Sequence, residues 1–370
     1  MIPPINDTIS PTKPLDFTFY GKAEYYEALT KRIAATRISE HVTVATMSFR
    51  PDEPSLQPLL DELNTAAERG VKVHLIVDAH NFLIRKDIAP GPLVIKSTLS
   101  ARMPKIYRQR LETLERLKSY GGKYTITNQP LSLFSNPFSG RSHIKFAVVN
   151  NYVFIGGCNL RSIDDIDLMA GWVDARTAGW LVDFALNVAN NRGVSQSMRG
   201  EDLSLKLDIN TSLLIDAGQP GQSIIFDTAL ELIDTARESI LITCQFFPNA
   251  VTAQHLALAE ARGVEVEIIF NHPNKHAWPL NLLHHAVVRS EKRKMPAQFF
   301  VNQLPESHDF LHAKLLCSDQ ATIVGSHNFV GTGVKFGTAE IALLSTDPAF
   351  GKKALASLQQ QIESSEESGD

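Results

Sequence analysis

The phrase HIKFAVVNNYVFIGGCN, residues 143–159, returns with the same polar positions as HAKLLCSDQATIVGSHN, residues 312–328. In both copies a lysine follows the histidine by two positions, a glycine by 13 and an asparagine by 16. Residues i and i+2 of a strand share one face, so the spacing predicts that each histidine points the same way as its lysine. The apolar run that follows predicts a core strand, and the glycines predict a turn into a second strand edge that carries the amide.

The sequence around each copy is duplicated as well. AAERGVKVHLIV at residues 66–77 matches LAEARGVEVEIIF at residues 258–270. Apolar spacing predicts helix, strand, helix and strand in each half: residues 25–38, 41–49, 54–69 and 71–79, and then 224–238, 239–247, 250–262 and 264–270. Solenoid repeats span only about 20–50 residues. We therefore predict an α/β fold made of two copies of one unit, joined near residues 195–215.

The composition is typical of a soluble globular protein. The chain has 370 residues, 44% of them apolar and 21% charged, which is enough for a large core without disulfides or structural metal. Its three cysteines have no CxxC spacing, which argues against a disulfide framework and a structural zinc site. The first residues do not resemble a signal peptide, and no apolar run of about 18 residues predicts a membrane span. We expect a cytoplasmic protein, with a peripheral position at the membrane left open.

Charge is distributed unevenly along the chain. The net charge is −4, and residues 361–370 carry four acids and no base, so the remainder is close to neutral. A near-neutral body argues against a protein coated with positive charge for duplex DNA. Residues 81–123 hold ten bases against three acids, which leaves a local basic groove open. By composition, residues 1–16 are expected to be loose and the acidic tail, residues 358–370, to be disordered.

The two phrases resemble the phospholipase D superfamily, whose motif is H-x-K-x4-D followed by G-[SG]-x-N. The second copy matches it at every motif position, namely His312, Lys314, Asp319, Gly325, Ser326 and Asn328. The first copy has Asn150 where the family has aspartate, a position that supports the strand rather than the chemistry. The paired strand–helix–RGV–strand units, and FLHAK at residues 310–314, resemble cardiolipin-synthase-like members. The resemblance covers about residues 17–355.

The resemblance implies the architecture. We expect two pseudo-twofold-related phospholipase D-like α/β/α domains with mixed sheets, residues 17–205 and 206–357, between the loose N-terminus and the tail. The family fold brings the two halves together around one active site at their seam. His143 and His312 are therefore expected within reach of one phosphate.

The resemblance also implies a phosphodiesterase reaction that needs no metal and no cofactor. One neutral imidazole attacks phosphorus to form a phosphohistidine, and the opposite imidazole, protonated, donates to the leaving oxygen. Lysines and amides hold the non-bridging oxygens. The implied catalytic residues are His143, Lys145, Asn159, His312, Lys314 and Asn328. By family analogy His143 is the nucleophile and His312 the acid, although the symmetric phrases do not assign these roles.

Each histidine needs an acidic partner that fixes its tautomer. Family members carry this residue shortly after the motif asparagine, which implies Glu340 in the second half. In the first half the segment SIDDIDLMAGW, residues 162–172, offers Asp164, Asp165 and Asp167, of which Asp165 and Asp167 are favoured. The choice between these two stays open.

Two classes of substrate fit this chemistry. The preferred one is a phospholipid at a membrane surface, reached by hydrolysis or phosphatidyl transfer, with apolar and basic residues of loops 86–96, 131–138 and 271–283 entering the headgroup layer. The alternative is a nuclease whose basic stretch 81–123 follows a strand. A near-neutral body and 8% aromatic residues count mildly against the nuclease. A binding protein with a decayed site is disfavoured, because histidine, lysine and asparagine are present in both halves.

Overall fold

The computed structural model describes residues 13–79, 105–128, 141–190, 201–248, 250–276 and 280–367. The elements of the first half are β1 (Thr18–Tyr20), α1 (Lys22–Ala34), β2 (His41–Thr46), α2 (Gln57–Glu68), β3 (Lys72–Asp78), α3 (Lys105–Ser119), β4 (Lys123–Thr127), β5 (Phe146–Val149), β6 (Tyr152–Gly156), β7 (Asp165–Ile166), β8 (Met169–Val173) and α4 (Ala175–Asn190). The second half has β9 (Leu203–Lys206), β10 (Thr211–Ala217), α5 (Ile224–Thr235), β11 (Ser239–Cys244), α6 (Ala250–Ala261), β12 (Glu265–Phe270), α7 (Leu280–Glu291), β13 (Phe310–Leu311), β14 (Leu315–Ser318), β15 (Thr322–Gly325), α8 (Gly331–Phe336), β16 (Ala339–Ser345) and α9 (Pro348–Glu367).

Each half builds a seven-stranded mixed sheet with the same central order. The first sheet runs β1-β8-β6-β5-β2-β3-β4 and the second runs β9-β10-β16-β15-β14-β11-β12. In each, the strands joined by the RGV helix are parallel, and the phrase strands beside them are antiparallel. The predicted two-unit α/β fold with mixed sheets is confirmed. The predicted boundary between residues 205 and 206 lies inside β9, a strand of the second sheet.

The RGV words end α2 and α6 in the same way. Gly70 and Gly263 have φ of 85° and 93°, a left-handed conformation that glycine adopts without a steric penalty. In both turns the valine after the glycine donates its N–H back into the helix, Val71 to Ala66 and Val264 to Ala259. These hydrogen bonds close the helix and start the parallel strand. A local signal therefore fixes the same helix-to-strand turn twice.

One apolar core joins the two halves. It contains Phe146 and Trp172 from the first sheet and Leu315 and Leu343 from the second, together with side chains of α4 and α9. Separate cores lie beneath the outer helices, under α1–α3 in the first half and under α5–α7 in the second. β7 also pairs with β13 in parallel, which ties the halves together by backbone hydrogen bonds. The seam is thus both apolar and hydrogen-bonded.

The expected disorder of residues 358–370 is wrong as far as Glu367, because α9 continues to that residue. Leu358 is fully buried in the shared core. Further along, Gln361 Oε1 accepts a hydrogen bond from Asp167 N at 3.1 Å, and Ser365 Oγ accepts one from Asp309 N at 2.6 Å. Contacts with the rest of the molecule outweigh the polar composition of this segment. None of the helices in the described ranges is long and apolar enough to cross a membrane.

Candidate active site

The two phrase histidines lie at the seam, each immediately before its strand. His143 N donates to Ala339 O at 2.8 Å, and His312 N donates to Ile166 O at 2.8 Å. Each histidine backbone is therefore held by a strand of the other half. The next residue in the chain is acidic, Glu340 after Ala339 within β16 and Asp167 after Ile166 at the end of β7. This register brings an acid from one half to the imidazole of the other.

The imidazoles and carboxylates pair across the seam. His143 Nδ1 lies 2.9 Å from Glu340 Oε2, and His312 Nδ1 lies 2.6 Å from Asp167 Oδ2. Both carboxylates are buried. A carboxylate at Nδ1 holds the proton there and leaves Nε2 as the reactive nitrogen. Of the two candidates left open by the sequence, Asp167 is the one that contacts a histidine.

Asp165 has a different set of partners. Arg161 donates to both of its carboxylate oxygens, at 2.9 and 3.0 Å, and the buried Lys22 forms an ion pair with it. The Arg161 guanidinium also lies over the Phe310 ring, 5.9 Å from its centroid. This cluster stands behind the His312–Asp167 pair. Sequence reasoning missed Lys22 and Arg161, because neither belongs to the repeated phrase.

Lys145 and Lys314 are almost entirely buried beside the histidines. Lys145 Nζ donates to His143 O at 2.6 Å, and Lys314 Nζ donates to His312 O. Burial lowers the pKa of Lys145 to about 7 and that of Lys314 to about 8, although nearby acids raise both. The positive charge of Lys314 contributes to the low pKa of Lys145, so the two ammonium groups share one site. A bound anion would stabilise both charges.

The lowered pKa values of the two histidines favour neutral rings. Burial lowers the pKa of His143, and the opposing charge of Glu340 offsets part of this effect. Burial, Lys314 and Arg161 hold the pKa of His312 well below its ordinary value. Burial alone would raise the pKa of Glu340, but His143 and its hydrogen bond lower it to about 2. Glu340 is therefore ionised throughout the physiological pH range.

The two motif asparagines differ in their surroundings. Asn159 Oδ1 accepts a hydrogen bond from Ser48 N at 3.0 Å, which orients the amide. Asn328 Oδ1 is buried without a hydrogen-bond partner among the residues that the structure describes. The second half has Phe246 at the position of Ser48, as the register of β2 with β5 and of β11 with β14 shows. The amide of the second half is thus less constrained.

The glycine turn permits close approach of the acid. A Cβ atom at Gly157 would lie 2.1 Å from Asp167 Oδ1, so this position excludes any side chain. At the equivalent position in the second half, Ser326 Oγ donates to Glu340 Oε2. The adjoining Cys158 and His327 are both buried, and His327 Nδ1 accepts a hydrogen bond from Phe329 N at 2.9 Å. These two side chains pack the turn.

Asn150 and its counterpart Asp319 lie away from the site, at exposed turns after β5 and β14. Asn150 Oδ1 accepts from His41 N at 3.2 Å. Asp319 Oδ1 accepts from Arg237 N at 3.0 Å and from Glu238 N at 3.2 Å. Both residues cap a strand start, and the asparagine amide does this as the carboxylate does. The departure from the family motif therefore falls outside the chemistry.

Comparison with known proteins agrees with this duplication. The family model described as "Cardiolipin synthase, PLD-like domain" matches residues 29–163 and again residues 229–364. Each match contains one copy of the histidine phrase. The same domain therefore occurs twice in the chain. No curated protein sequence matches the chain closely enough to count as a relative.

Two solved structures show the same fold at low sequence identity. Phosphatidylserine synthase of Haemophilus influenzae Rd KW20 is 15% identical with a TM-score of 0.67, over 96% of this chain and 87% of that one. Polyphosphate kinase of Porphyromonas gingivalis is 13% identical with a TM-score of 0.55, over 94% of this chain and 50% of that one. The present chain spans half the length of that kinase. Both likenesses concern the fold.

Proposed function

This chain belongs to the phospholipase D-like family described as cardiolipin synthase, PLD-like domain, and we propose that it cleaves or transfers the phosphodiester of phospholipids through a phosphohistidine. The observation that carries the proposal is the crossed pairing of His143 with Glu340 and of His312 with Asp167. This pairing leaves two Nε2 atoms as reactive groups beside two buried lysines. A stability role alone does not explain two buried cations with lowered pKa values.

In the first step one Nε2 lone pair forms a bond to phosphorus while the bond from phosphorus to the leaving alcohol oxygen breaks. The other histidine, kept in its protonated form by the negative charge of the bound phosphodiester, gives its Nε2 proton to that oxygen, so the alcohol leaves neutral. Glu340 and Asp167 stabilise whichever imidazole becomes positive. In the second step the now neutral histidine takes a proton from water or from an acceptor alcohol, whose oxygen attacks phosphorus. The phosphorus–nitrogen bond then breaks and the first histidine is restored.

Lys145 and Lys314 supply the electrostatic stabilisation in this scheme. Charge that develops on the non-bridging oxygens meets two ammonium groups already fixed in a buried site, so little reorganisation is needed. The amide of Asn159, oriented by Ser48, adds a donor. The proposed reaction routes no step through a metal ion. The phospholipid is favoured as substrate by the family description, and a nucleic acid is the alternative to be tested.

The experiment compares the products formed from phosphatidylglycerol vesicles and from single-stranded DNA. We expect free headgroup alcohol or a new phosphatidyl ester from the lipid, and no shortened DNA. His143→Asn and His312→Asn should each lower turnover by about 1000-fold or more. EDTA should leave turnover unchanged. DNA cleavage without lipid turnover would show that the substrate is a nucleic acid and not a phospholipid. Activity that is lost in EDTA and restored by a divalent metal would reject the histidine mechanism.

A further inference from the structure

Two rings, those of His276 and Phe310, lie between helix α7 and the proposed catalytic histidine of the second half. Phe310 stands 6.4 Å from the His312 ring, His276 stands 5.4 Å from Phe310, and His284 of α7 stands 4.9 Å from His276. His284 Nε2 also accepts a hydrogen bond from Phe247 N at 2.9 Å, which anchors the helix. The inner face of α7 is therefore part of the wall beside the site.

Exposed leucines occupy the first turn of α7. Leu280, Leu282 and Leu283 are 47%, 57% and 61% exposed, whereas His284 and Val288 are buried. Positions 282, 286 and 289 follow one another along the face opposite to these buried residues. Adjacent exposed leucines at the start of a helix leave apolar area in water that a partner surface would remove.

The end of α7 and the turn that follows it, residues 289–294, are basic. Arg289, Lys292, Arg293 and Lys294 are exposed, and the acid among them, Glu291, is buried and paired with Lys294. Lys292 Nζ lies 5.4 Å from the Phe300 ring centroid, so this base stays close to the protein surface. The exposed stretch 280–294 thus has leucines at its start and bases at its end. That combination is typical of helices that lie in the headgroup layer of an anionic bilayer.

We infer that α7 docks the second half of the protein on an anionic bilayer, with Leu282 and Leu283 in the acyl boundary and the four bases among the headgroups. The inference rests on the proposed function, because a lipid phosphodiester lies at headgroup depth and the helix is linked to His312 through the rings of His276 and Phe310. A nucleic acid would leave the leucines in water. A twofold contact of α7 with its own image would offer the bases no free acid of this stretch as a partner, because Glu291 is buried and paired with Lys294.

The test uses the full chain and a matched control. Leu282→Ser removes an exposed leucine of α7, and Leu258→Ser removes one of equal exposure, 59%, on α6. Binding to phosphatidylglycerol vesicles is measured by cosedimentation. Turnover is compared on vesicles and on monomeric dihexanoyl phosphatidylglycerol. We expect Leu282→Ser to weaken vesicle binding, and to lower the vesicle-to-monomer turnover ratio, by about fivefold to tenfold. Leu258→Ser should change neither quantity.

A second arm tests the charges. Arg289→Glu with Arg293→Glu should weaken binding to phosphatidylglycerol vesicles far more than binding to phosphatidylcholine vesicles. Equal binding by wild type and Leu282→Ser, or equal losses from Leu282→Ser and Leu258→Ser, would overturn the docking surface. A dimer that only Leu282→Ser disrupts, with vesicle binding unchanged, would assign the face to a second copy and also overturn it. Docking as expected without turnover of either lipid form would keep the surface and reject the proposed function.

Discussion

At the residue scale, the repeated phrase predicts a symmetric site, and residues outside the phrase break that symmetry. Asp216 of β10 is the direct ladder partner of Glu340, and it is fully buried. The equivalent register of β1 on β8 puts Lys22 in the corresponding place of the first half. The Glu340–His143 pair therefore has the carboxyl of Asp216 beside it. The Asp167–His312 pair instead has Lys22, Arg161 and Asp165 nearby. No repeat in the sequence signals this difference.

Asp216→Asn should change how stability depends on pH. Burial raises the pKa of Asp216 from 3.8 to about 7, against hydrogen bonds from Ser223 and Ile225. A carboxyl whose folded pKa is raised stabilises the fold below its unfolded pKa, and this stability is lost as the pH rises toward 7. An asparagine side chain does not titrate, so its contribution to the unfolding free energy does not depend on pH. The unfolding free energy of the variant relative to wild type should therefore rise by about 2–4 kcal/mol between about pH 4 and about pH 8.

Chemical denaturation of both proteins across this range measures the difference, from which the other titrating groups cancel. A difference that stays constant with pH would show that Asp216 is not a buried acid with a raised pKa.

The two buried lysines should make anion binding depend on pH. Because their pKa values are lowered to about 7 and about 8, both are protonated at about pH 6 and mostly neutral at about pH 9. Sulfate, a dianion throughout, should raise the melting temperature by about 2 °C or more at the lower pH and much less at the higher. Lys145→Met or Lys314→Met should remove most of this effect in a thermal-shift assay. Lys353→Met, at an exposed pair with Asp16, is the control, and a sulfate shift lost there as well would contradict the assignment.

At the element scale, local signals predict what local geometry fixes. The RGV words predict where α2 and α6 end, because the valine after each glycine bonds back within the same turn. The disorder expected of residues 358–370 fails because Leu358 and Gln361 meet partners far away in the chain. Helix α7 likewise has no local signal of this kind, because the repeated words of the second half end at residue 270. Composition and periodicity do not describe such long-range contacts. The sequence leaves a basic groove open at residues 81–123, and more than half of this stretch lies outside the described residues. The loops 86–96 and 131–138 lie wholly outside them.

Gln361 of α9 should act as a positioning residue for Asp167. Its side chain accepts the Asp167 N–H at 3.1 Å, directly behind the His312 pair. Gln361→Ala should lower kcat by about threefold to tenfold with little change in KM. The Asp167 carboxylate loses its alignment with His312, while the lysines that bind the phosphate remain in place. The neighbouring Gln360 is exposed, and Gln360→Ala should have no effect. Steady-state kinetics on monomeric lipid distinguishes the two, and equal kcat for both variants would contradict the role.

At the scale of the whole molecule, the seam joins the two repeats in one apolar core and one candidate site. The shared core takes side chains from both sheets, and each histidine takes its acid from the other half. The sequence predicts the duplication and the catalytic residues. It does not predict which half each acid serves, because that depends on how the repeats pack.

The shared core predicts a single unfolding transition. Because Phe146, Trp172, Leu315 and Leu343 pack in one core built from both halves, separation of the halves would expose that core. Calorimetry should give one peak whose calorimetric and van't Hoff enthalpies agree. Two resolved transitions, or an enthalpy ratio of about 2, would mean that the halves fold independently.

Trapping of the covalent intermediate tests the central claim most directly, namely that the two halves form one phosphoryl-transfer site with a histidine nucleophile. A rapid quench during turnover of a phospholipid with a good leaving group, followed by mass spectrometry, locates any modified residue. By family analogy the adduct is predicted on His143, absent from His143→Asn and still formed in His312→Asn, since a good leaving group needs little proton donation. An adduct on His312 would reverse the two roles. Turnover without a covalent species in wild type or either variant would contradict the mechanism.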